Sequence, residues 1–348
     1  MTVRQLANAF WRWRDDGRPL VLATVYETSG STYSKAGAQM LINRDLDFQG
    51  MLSGGCLEGD LAERARQVIE SGAAQTVTYD LGLNDEQLWG LGVGCDGLMR
   101  IFLQPLRLEN GYEPFASMVR AYAGDSVQVA ATVLDSADES IRPGSSMVTV
   151  DDEVAFSDLD AGFAAAIEPM AAEAKLAGQA RLHKVHGDVS VLVCALRPPP
   201  RVLVLGGGLD AEPVVRLVAE LGWRVIVQDH RPGYIAAGDF SGAEKVHCVP
   251  VDELAKAVDF SRIDAVIVMS HHLATDQRYL EMLASTDVRY IGLLGPPNRR
   301  ARLVKDLGVK AESLKGRLHG PAGIDIGGTG PAAIALSIVA EMHQFLMR

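Results

Sequence analysis

Short apolar runs alternate with amphipathic stretches throughout the second half of the chain. Continuous apolar runs of about four to eight residues are typical of strands that are buried on both faces. Because strands alternate with helices here, the pattern predicts a parallel, doubly wound sheet. The strand-like runs are RVLVL (201–205), RVIVQD (224–229), IDAVIVMS (263–270) and VRYIGLLG (288–295), and the helical stretches are 275–285, 297–308 and 331–346.

The first half of the chain has a less regular pattern. A helix near residues 3–15 precedes the strand PLVLATVYETSGS, which runs into a polar turn. Two short strands at 38–43 and 47–52 are predicted to form a hairpin, and a helix follows at 57–72. This mixed order predicts an α+β domain. Further predicted elements are the strands AQTVTYDL, GLMRIFLQP, VQVAATVLD and VSVLVCALR, and an alanine-rich helix near 160–177.

Three consecutive prolines, Pro198 to Pro200, separate the two patterns. Such a run cannot continue a helix or donate to a sheet, so it forms a stiff, extended connector. We therefore expect two domains, 1–196 and 197–348. The predicted fold class is α/β: an N-terminal α+β domain followed by a C-terminal Rossmann-like domain with a doubly wound parallel sheet.

Composition narrows the classes of partner. The chain has 348 residues with 44 acidic and 33 basic side chains, a net charge of -11, and 48% hydrophobic residues. This balance is that of a globular protein and argues against a general nucleic-acid or anionic-membrane surface. We see no signal peptide and no apolar run long enough to span a bilayer, and therefore expect a cytoplasmic protein.

Four cysteines are widely spaced and form no CxxC pair: Cys56, Cys95, Cys194 and Cys248. That spacing argues against a disulfide framework or a structural zinc site and favours a reducing compartment. We expect Cys194 and Cys248 to be structural, because a free cysteine is usually a small buried side chain.

A glycine turn follows the first strand of the predicted parallel sheet. Gly206, Gly208 and Ala211 match G-x-G-x-x-A, and Asp229 ends the next strand where a ribose-binding acid would lie. The spacing predicts NAD(P) binding. A tight turn with a solvated acid is the alternative. His271 follows a later strand at the same predicted edge, as a proton donor, a phosphate contact, or a histidine satisfied by a backbone carbonyl.

Three glycine-rich loops interrupt the first domain. They contain Gly30, Ser31 and Thr32; Ser53, Gly54, Gly55 and Cys56; and Gly94 and Cys95. Small residues and flexible backbone are typical of anion-binding nests. Free N–H groups and the helix dipole behind the second loop would favour a phosphate and would lower the pKa of the Cys56 thiol. Glu58 in the first helical turn suits the same dipole but opposes a second anion. A buried, structural role for either cysteine stays open.

In order along the chain, these segments resemble the XdhC/CoxI family, accessory proteins that mature molybdenum hydroxylases. The resemblance covers nearly the whole sequence. It is carried by GSTYSKAGAQML, SGGCLEGDL and GVGCDG in the first domain, and by GGGLDA, DHRP, SHHLATD, YIGLLG and GIDIGG…PAAIALSIVAE in the second.

The resemblance implies a protein that binds the molybdenum cofactor, promotes replacement of a metal oxo ligand by sulfur, and delivers the cofactor to an apo-hydroxylase. A cysteine desulfurase would supply the sulfur. The cofactor would be molybdopterin, with or without a nucleotide, held in a site shared by the two domains. Cys56 and Cys95 would be the contacts to molybdenum or sulfur, and the loops that precede them would hold phosphate or the polar edge of the pterin.

The sequence departs from the family pattern at three places. Tyr33-Ser34 stands where Pro-Arg is usual, which removes a guanidinium although Lys35 lies beside it. Leu209 replaces a common histidine after the glycine turn, and Ala332-Ala333 replaces a pair of glutamates. These departures predict a divergent member of the family.

Two other functions stay open. One is an NAD(P)-dependent oxidoreductase that uses Gly206, Gly208 and Asp229. The other is a scaffold that docks a desulfurase to a hydroxylase without touching the cofactor. We expect an accessory factor rather than a turnover enzyme, and homodimerisation stays open.

Overall fold

The computed structural model describes residues 2–80 and 97–347. The chain divides into two compact units, one ending at Pro198 and the other beginning at Pro199. The division falls within the run of three prolines.

The first unit contains a five-stranded antiparallel sheet, in the order β3-β2-β1-β5-β4. Because side chains alternate along a strand, Leu20 and Leu22 face one layer while Val21 and Ala23 face the other. The first pair packs with helix α1 and the second with helix α2. The elements are α1 (Val3–Asp15), β1 (Leu20–Ser29), β2 (Gln39–Asn43), β3 (Phe48–Gly50), α2 (Glu58–Ser71), β4 (Gln75–Asp80) and β5 (Leu98–Leu106).

A second antiparallel sheet of five strands completes this unit, in the order β8-β7-β6-β10-β9. One hydrophobic core joins α1 and α3 to residues from both sheets, among them Leu22 and Val148. Helix α4 packs on the other face of the second sheet. The elements are α3 (Phe115–Ala123), β6 (Gln128–Asp135), β7 (Ser146–Val150), β8 (Glu153–Ser157), α4 (Ala161–Ala177), β9 (Arg181–Val185) and β10 (Val189–Leu196).

The second unit is a Rossmann-like domain. Its six-stranded sheet is parallel, in the order β13-β12-β11-β14-β15-β16. Helices α5 and α10 cover one face, and α8 and α9 the other. Its elements are β11 (Arg201–Leu205), α5 (Ala211–Glu220), β12 (Arg224–Gln228), α6 (Pro232–Ala237), β13 (Lys245–His247), α7 (Leu254–Ala257), β14 (Ala265–Val268), α8 (Leu273–Leu283), β15 (Tyr290–Leu293), α9 (Pro297–Leu307), β16 (Leu318–His319) and α10 (Pro331–Leu346).

The strand order of this sheet reverses between β11 and β14, which are neighbours in the sheet although two strands separate them in sequence. In open α/β sheets, ligands bind at the carboxyl ends of the strands at such a reversal. The glycine turn after β11 and the segment Ser270–His271 after β14 therefore lie at the position where a ligand is expected.

Among the helices of residues 2–80 and 97–347, none combines the length and the hydrophobicity that a membrane span requires.

Candidate functional site

Two of the predicted loops of the first unit lie together, and Gly97, the described end of the third, adjoins one of them. A Cβ atom built on Gly97, which precedes β5, would lie only 2.4 Å from the carbonyl oxygen of Ser31 and 2.6 Å from Cγ2 of Thr32. The Tyr33 ring packs over Gly54, where a Cβ atom would lie 3.4 Å from the ring. The segment after β1 therefore contacts both the loop that leads into α2 and the residue that leads into β5.

Glu58, the first residue of α2, organises the loop that contains Cys56. Its buried carboxylate accepts hydrogen bonds from the backbone N–H groups of Leu52 (2.8 Å), Ser53 (2.8 Å), Gly55 (3.0 Å) and Leu57 (3.2 Å). The Ser53 hydroxyl donates to the same carboxylate. Positive φ angles of 81° at Gly54 and 110° at Gly55 let the chain curl around this one side chain. The loop is thus held from inside by its own carboxylate.

This arrangement corrects one prediction about the loop. We expected the N–H groups before the helix to be free for a phosphate, but those of Ser53 and Gly55 are already bonded to Glu58. Burial alone would raise the pKa of Glu58, but hydrogen bonds from Ser53 and from the Leu52 N–H outweigh it and hold that pKa below its usual range. A second anion at these N–H groups would have to displace an ionised carboxylate.

The Cys56 side chain is exposed at the mouth of α2. Gly30 and Ser31, on the adjoining loop, are exposed as well, and Lys35 Nζ lies 3.3 Å from the hydroxyl of Thr32. The site therefore presents a thiol, a polar loop and an ammonium group to solvent. A buried, structural Cys56, the alternative left open by the sequence, does not agree with this exposure.

The other cysteines have different surroundings. Burial in β10 raises the pKa of Cys194 to about 12, so this thiol stays protonated and is structural, as expected. Cys248 is exposed rather than buried. Gly94 and Cys95 lie outside the described residues. Within 2–80 and 97–347, no three His, Cys, Asp or Glu side chains are grouped to hold a metal ion.

The glycine turn of the second unit is packed against its own sheet. A Cβ atom on Gly206 (φ 129°) would lie 2.4 Å from the carbonyl oxygen of Met269, on the segment after β14. The Gly207 N–H donates to Asp229 at 2.8 Å. A Cβ atom on Gly208 would lie 2.8 Å from Oδ1 of Asp210. Each glycine of the motif is therefore explained by a contact within the unit.

The Asp229 carboxylate is 1% exposed and is engaged by Arg231. The guanidinium donates two hydrogen bonds to it, at 2.9 and 2.7 Å, and the Arg231 backbone N–H donates a third at 2.9 Å. Burial opposes ionisation, but the bonds from Arg231 and Gly207 hold the pKa of Asp229 below its usual range. The carboxylate that the sequence predicts as a ribose contact therefore forms an internal ion pair with Arg231.

His271, predicted at this edge, lies after β14 with an exposed imidazole. Its Nε2 atom is 2.6 Å from Oδ2 of Asp210. Sequence reasoning missed Asp210, although an acid inside G-x-G-x-x-A was a visible signal because that turn ordinarily faces a pyrophosphate. The imidazole is therefore held by a carboxylate rather than by a backbone carbonyl.

Two family models match the chain. The model described as the XdhC Rossmann domain matches residues 202–342, and the model described as the XdhC and CoxI family matches residues 13–80. One match lies in each compact unit, so each unit is independently similar to a model of the XdhC family.

Individual relatives agree with the family models. Over 334 residues the chain is 28% identical to a Bacillus subtilis protein described as a probable xanthine dehydrogenase subunit, and the match covers 95% of this chain and 94% of that protein. It is 31% identical over 91 residues to the molybdenum cofactor insertion chaperone PaoD of Escherichia coli, covering 26% and 28%. A crystal structure described as a xanthine dehydrogenase from Bacillus halodurans is similar with a TM-score of 0.81 and 28% identity, covering 100% and 96%.

Proposed function

Because the chain belongs to the XdhC/CoxI family, we propose that it is a maturation factor for a molybdenum hydroxylase of the xanthine dehydrogenase type. It binds the molybdenum cofactor as cargo, serves its sulfuration together with a cysteine desulfurase, and delivers it to the apo-hydroxylase. Two similarities support this role: one over nearly the full length to a protein described as part of a xanthine dehydrogenase, and one over 91 residues to a cofactor insertion chaperone.

The observation that carries the proposal is the exposed thiol of Cys56 on a loop held by Glu58. A thiolate is the soft ligand that suits molybdenum or sulfur, and it must be accessible to reach either. Hydrogen bonds from four backbone N–H groups to one carboxylate restrain the loop. The thiol is therefore presented from a preorganised turn, which lowers the entropy cost of binding.

The sequence predicts two loops of this unit as holders of the phosphate, and the bonds of Glu58 to the loop before α2 favour the other one. Glu58 already uses the N–H groups of Ser53 and Gly55, so we propose that the loop of Gly30, Ser31 and Thr32 holds the phosphate together with Lys35. The ammonium group of Lys35 beside Thr32 supplies the positive charge that the missing arginine of the family pattern would otherwise provide. Cys95 is proposed as a second sulfur contact on the ground of the resemblance.

The two alternative functions predict different ligands. A nicotinamide oxidoreductase would use Asp229 to bind ribose, but that carboxylate is buried and paired with Arg231. A scaffold would bind the hydroxylase and the desulfurase without any cofactor. Molybdenum content separates the scaffold from the proposed cargo carrier.

The test is purification of the full chain from cells that make the cofactor, followed by assays of bound molybdenum and released pterin. We expect Cys56→Ser to reduce bound molybdenum by about tenfold or more. Cys248→Ser is the matched control, because it also removes an exposed thiol and is expected to retain the wild-type content. Cys95→Ser is measured in parallel.

Delivery is measured by adding the loaded protein and a cysteine desulfurase to an apo-hydroxylase and following its activity and cyanide-labile sulfur. Wild-type protein should raise both, and Cys56→Ser neither. The thiol role is wrong if Cys56→Ser carries wild-type molybdenum and activates the client normally. Binding of the client by a protein that never carries molybdenum would favour the scaffold.

A further inference from the structure

Asp210 stands where a Rossmann turn ordinarily meets the phosphates of a dinucleotide. Its Oδ1 atom lies 2.8 Å from the position that a Cβ atom on Gly208 would take. The second glycine of this motif normally lets a pyrophosphate approach the backbone. We infer that the Asp210 side chain, held by His271, closes this turn to ligands that carry a pyrophosphate, and that removing it opens a binding site for nucleoside diphosphates.

The contact with His271 holds the carboxylate in this position. Oδ2 of Asp210 lies 2.6 Å from Nε2 of His271, while Oδ1 faces Gly208. His271 has a φ of 60°, in the left-handed region that costs energy for a residue with a side chain. The Asp210–His271 contact offsets that cost. Carboxylate and imidazole thus close the turn as one unit.

The negative charge of Asp210 disfavours a bound pyrophosphate, as its position against Gly208 does. A pyrophosphate brings at least two negative charges to the turn, and the Asp210 carboxylate would face them at short range. The guanidinium that could compensate, Arg231, already donates to both oxygens of Asp229 and to the Ser270 carbonyl oxygen. Gly207, whose N–H could bind a phosphate oxygen, donates to Asp229 instead. These two groups therefore do not compensate the charge of Asp210.

The turn nevertheless lies where a nucleotide site is expected in such a sheet. It links β11 to α5 at the strand-order reversal, and α5 is a ten-residue helix whose dipole points its positive end at the turn. A Cβ atom on Gly208 would meet Asp210 at 2.8 Å and His271 only at 3.8 Å. Within this unit, the Asp210 side chain is therefore the nearest obstacle at the second glycine.

The experiment is calorimetric titration of the full chain with ADP, inorganic pyrophosphate, NAD⁺ and NADP⁺. We expect weak or undetectable binding by the wild type. Asp210→Ala removes charge and bulk, and Asp210→Asn removes charge alone. We expect the dissociation constant for ADP to fall at least about tenfold in Asp210→Ala, with a smaller fall in Asp210→Asn.

Two control variants isolate the obstacle. Glu212→Gln removes a carboxylate from the first turn of the same helix and should gain no affinity. His271→Ala releases the Asp210 carboxylate from its contact but keeps its negative charge, and should gain less affinity than Asp210→Ala. Thermal unfolding establishes that each variant is folded, and the isosteric Asp210→Asn serves if the alanine variant is not.

Three results would overturn the inference. The first is wild-type binding of ADP or NAD⁺ with a dissociation constant below about 100 μM, the range of an open cofactor site. The second is a folded Asp210 variant that binds no better than the wild type. The third is an equal gain in Glu212→Gln, which would show that net charge rather than this side chain sets the affinity. Molybdenum content is a separate readout, so failure here leaves the proposed cargo role to its own test.

Discussion

Two glycine-rich turns, one in each compact unit, lead into helices and invite the same interpretation as anion sites. In the first unit the turn before α2 wraps around Glu58, and in the second the turn before α5 is tied to Asp229. Both carboxylates are buried and ionised. In each case the chain supplies the anion that its own backbone N–H groups would otherwise take from a ligand.

The two turns differ in what they leave exposed. Glu58 follows its own turn in the sequence, and its carboxylate binds the N–H groups of that turn from the inside. The neighbouring Cys56 thiol therefore stays exposed to solvent. Asp229 comes from the next strand of the sheet, and Asp210 and His271 cover the turn from the solvent side. The first arrangement presents a reactive group, and the second withholds a binding surface. A glycine motif alone does not distinguish them.

Removal of Asp229 should have the largest effect on stability. Asp229→Ala leaves the Arg231 guanidinium without its bidentate partner and frees the Gly207 N–H, and we expect a loss of about 4 kcal/mol in the free energy of unfolding. Urea denaturation of the full chain measures it. Asp306→Asn on α9 is the control, because its exposed pair with Arg302 should contribute less than about 0.5 kcal/mol. Equal stability of the two variants would show that Asp229 does not hold the turn.

Removal of Glu58 should cost somewhat less. Glu58→Ala leaves the N–H groups of Leu52, Ser53 and Gly55 without their acceptor, and we expect a loss of about 3 kcal/mol. Water reaching this part-exposed loop can replace some of the lost bonds. Glu63→Ala, on the same helix and paired with exposed Arg66, should change stability by less than about 0.5 kcal/mol. A Glu58→Ala loss as small as that of the control would contradict the comparison.

The sequence predicts the long helices and most buried strands of both units but omits short elements in each: α3, β7, β8 and β9 in the first unit, and α6, β13, α7 and β16 in the second. Buried parallel strands are continuous apolar runs, and Pro331 marks the start of α10, which spans the predicted 331–346. In the first unit, the prediction omitted β8 because its side chains are largely exposed and give no alternation. It also omitted α3, a short helix whose N-cap residue, Pro114, makes no side-chain capping hydrogen bond.

The sequence predicts where the residues of the candidate site lie along the chain, but not which groups their side chains bond to. Cys56 and the glycines stand out in the sequence, whereas the partners of Glu58 and Asp229 depend on how the backbone curls and on the position of Arg231. Periodicity carries no information about these contacts. A carboxylate directly after a glycine turn nevertheless indicates that the N–H groups of the turn can be bonded to an acceptor within the chain.

A methyl group on Gly97 tests whether the glycines of the first unit serve the fold. Its Cβ atom would lie 2.4 Å from the Ser31 carbonyl oxygen, so the loop must shift, and we expect Gly97→Ala to cost about 2 kcal/mol. Gly59→Ala is the matched control, since nothing lies within 4 Å of its added Cβ and alanine favours the helix. We expect that control to be neutral or stabilised by up to about 1 kcal/mol. Equal thermal stability of the two variants would contradict the contact between the loops.

Acid should produce the smallest effect and should separate the two carboxylates. The pKa of Glu58 lies below its ordinary 4.5, and the pKa of Asp229 lies below its ordinary 3.8. Each carboxylate therefore stabilises the fold fully above its unfolded pKa, and that contribution is lost as the pH falls through the lower folded pKa. In urea titrations from about pH 6 to about pH 3, the stability difference between wild type and Glu58→Ala should begin to narrow near pH 4.5, and the Asp229→Ala difference at lower pH. Glu63→Ala should show no such narrowing, and a Glu58→Ala difference that widens in acid would mean that the buried group is protonated rather than ionised.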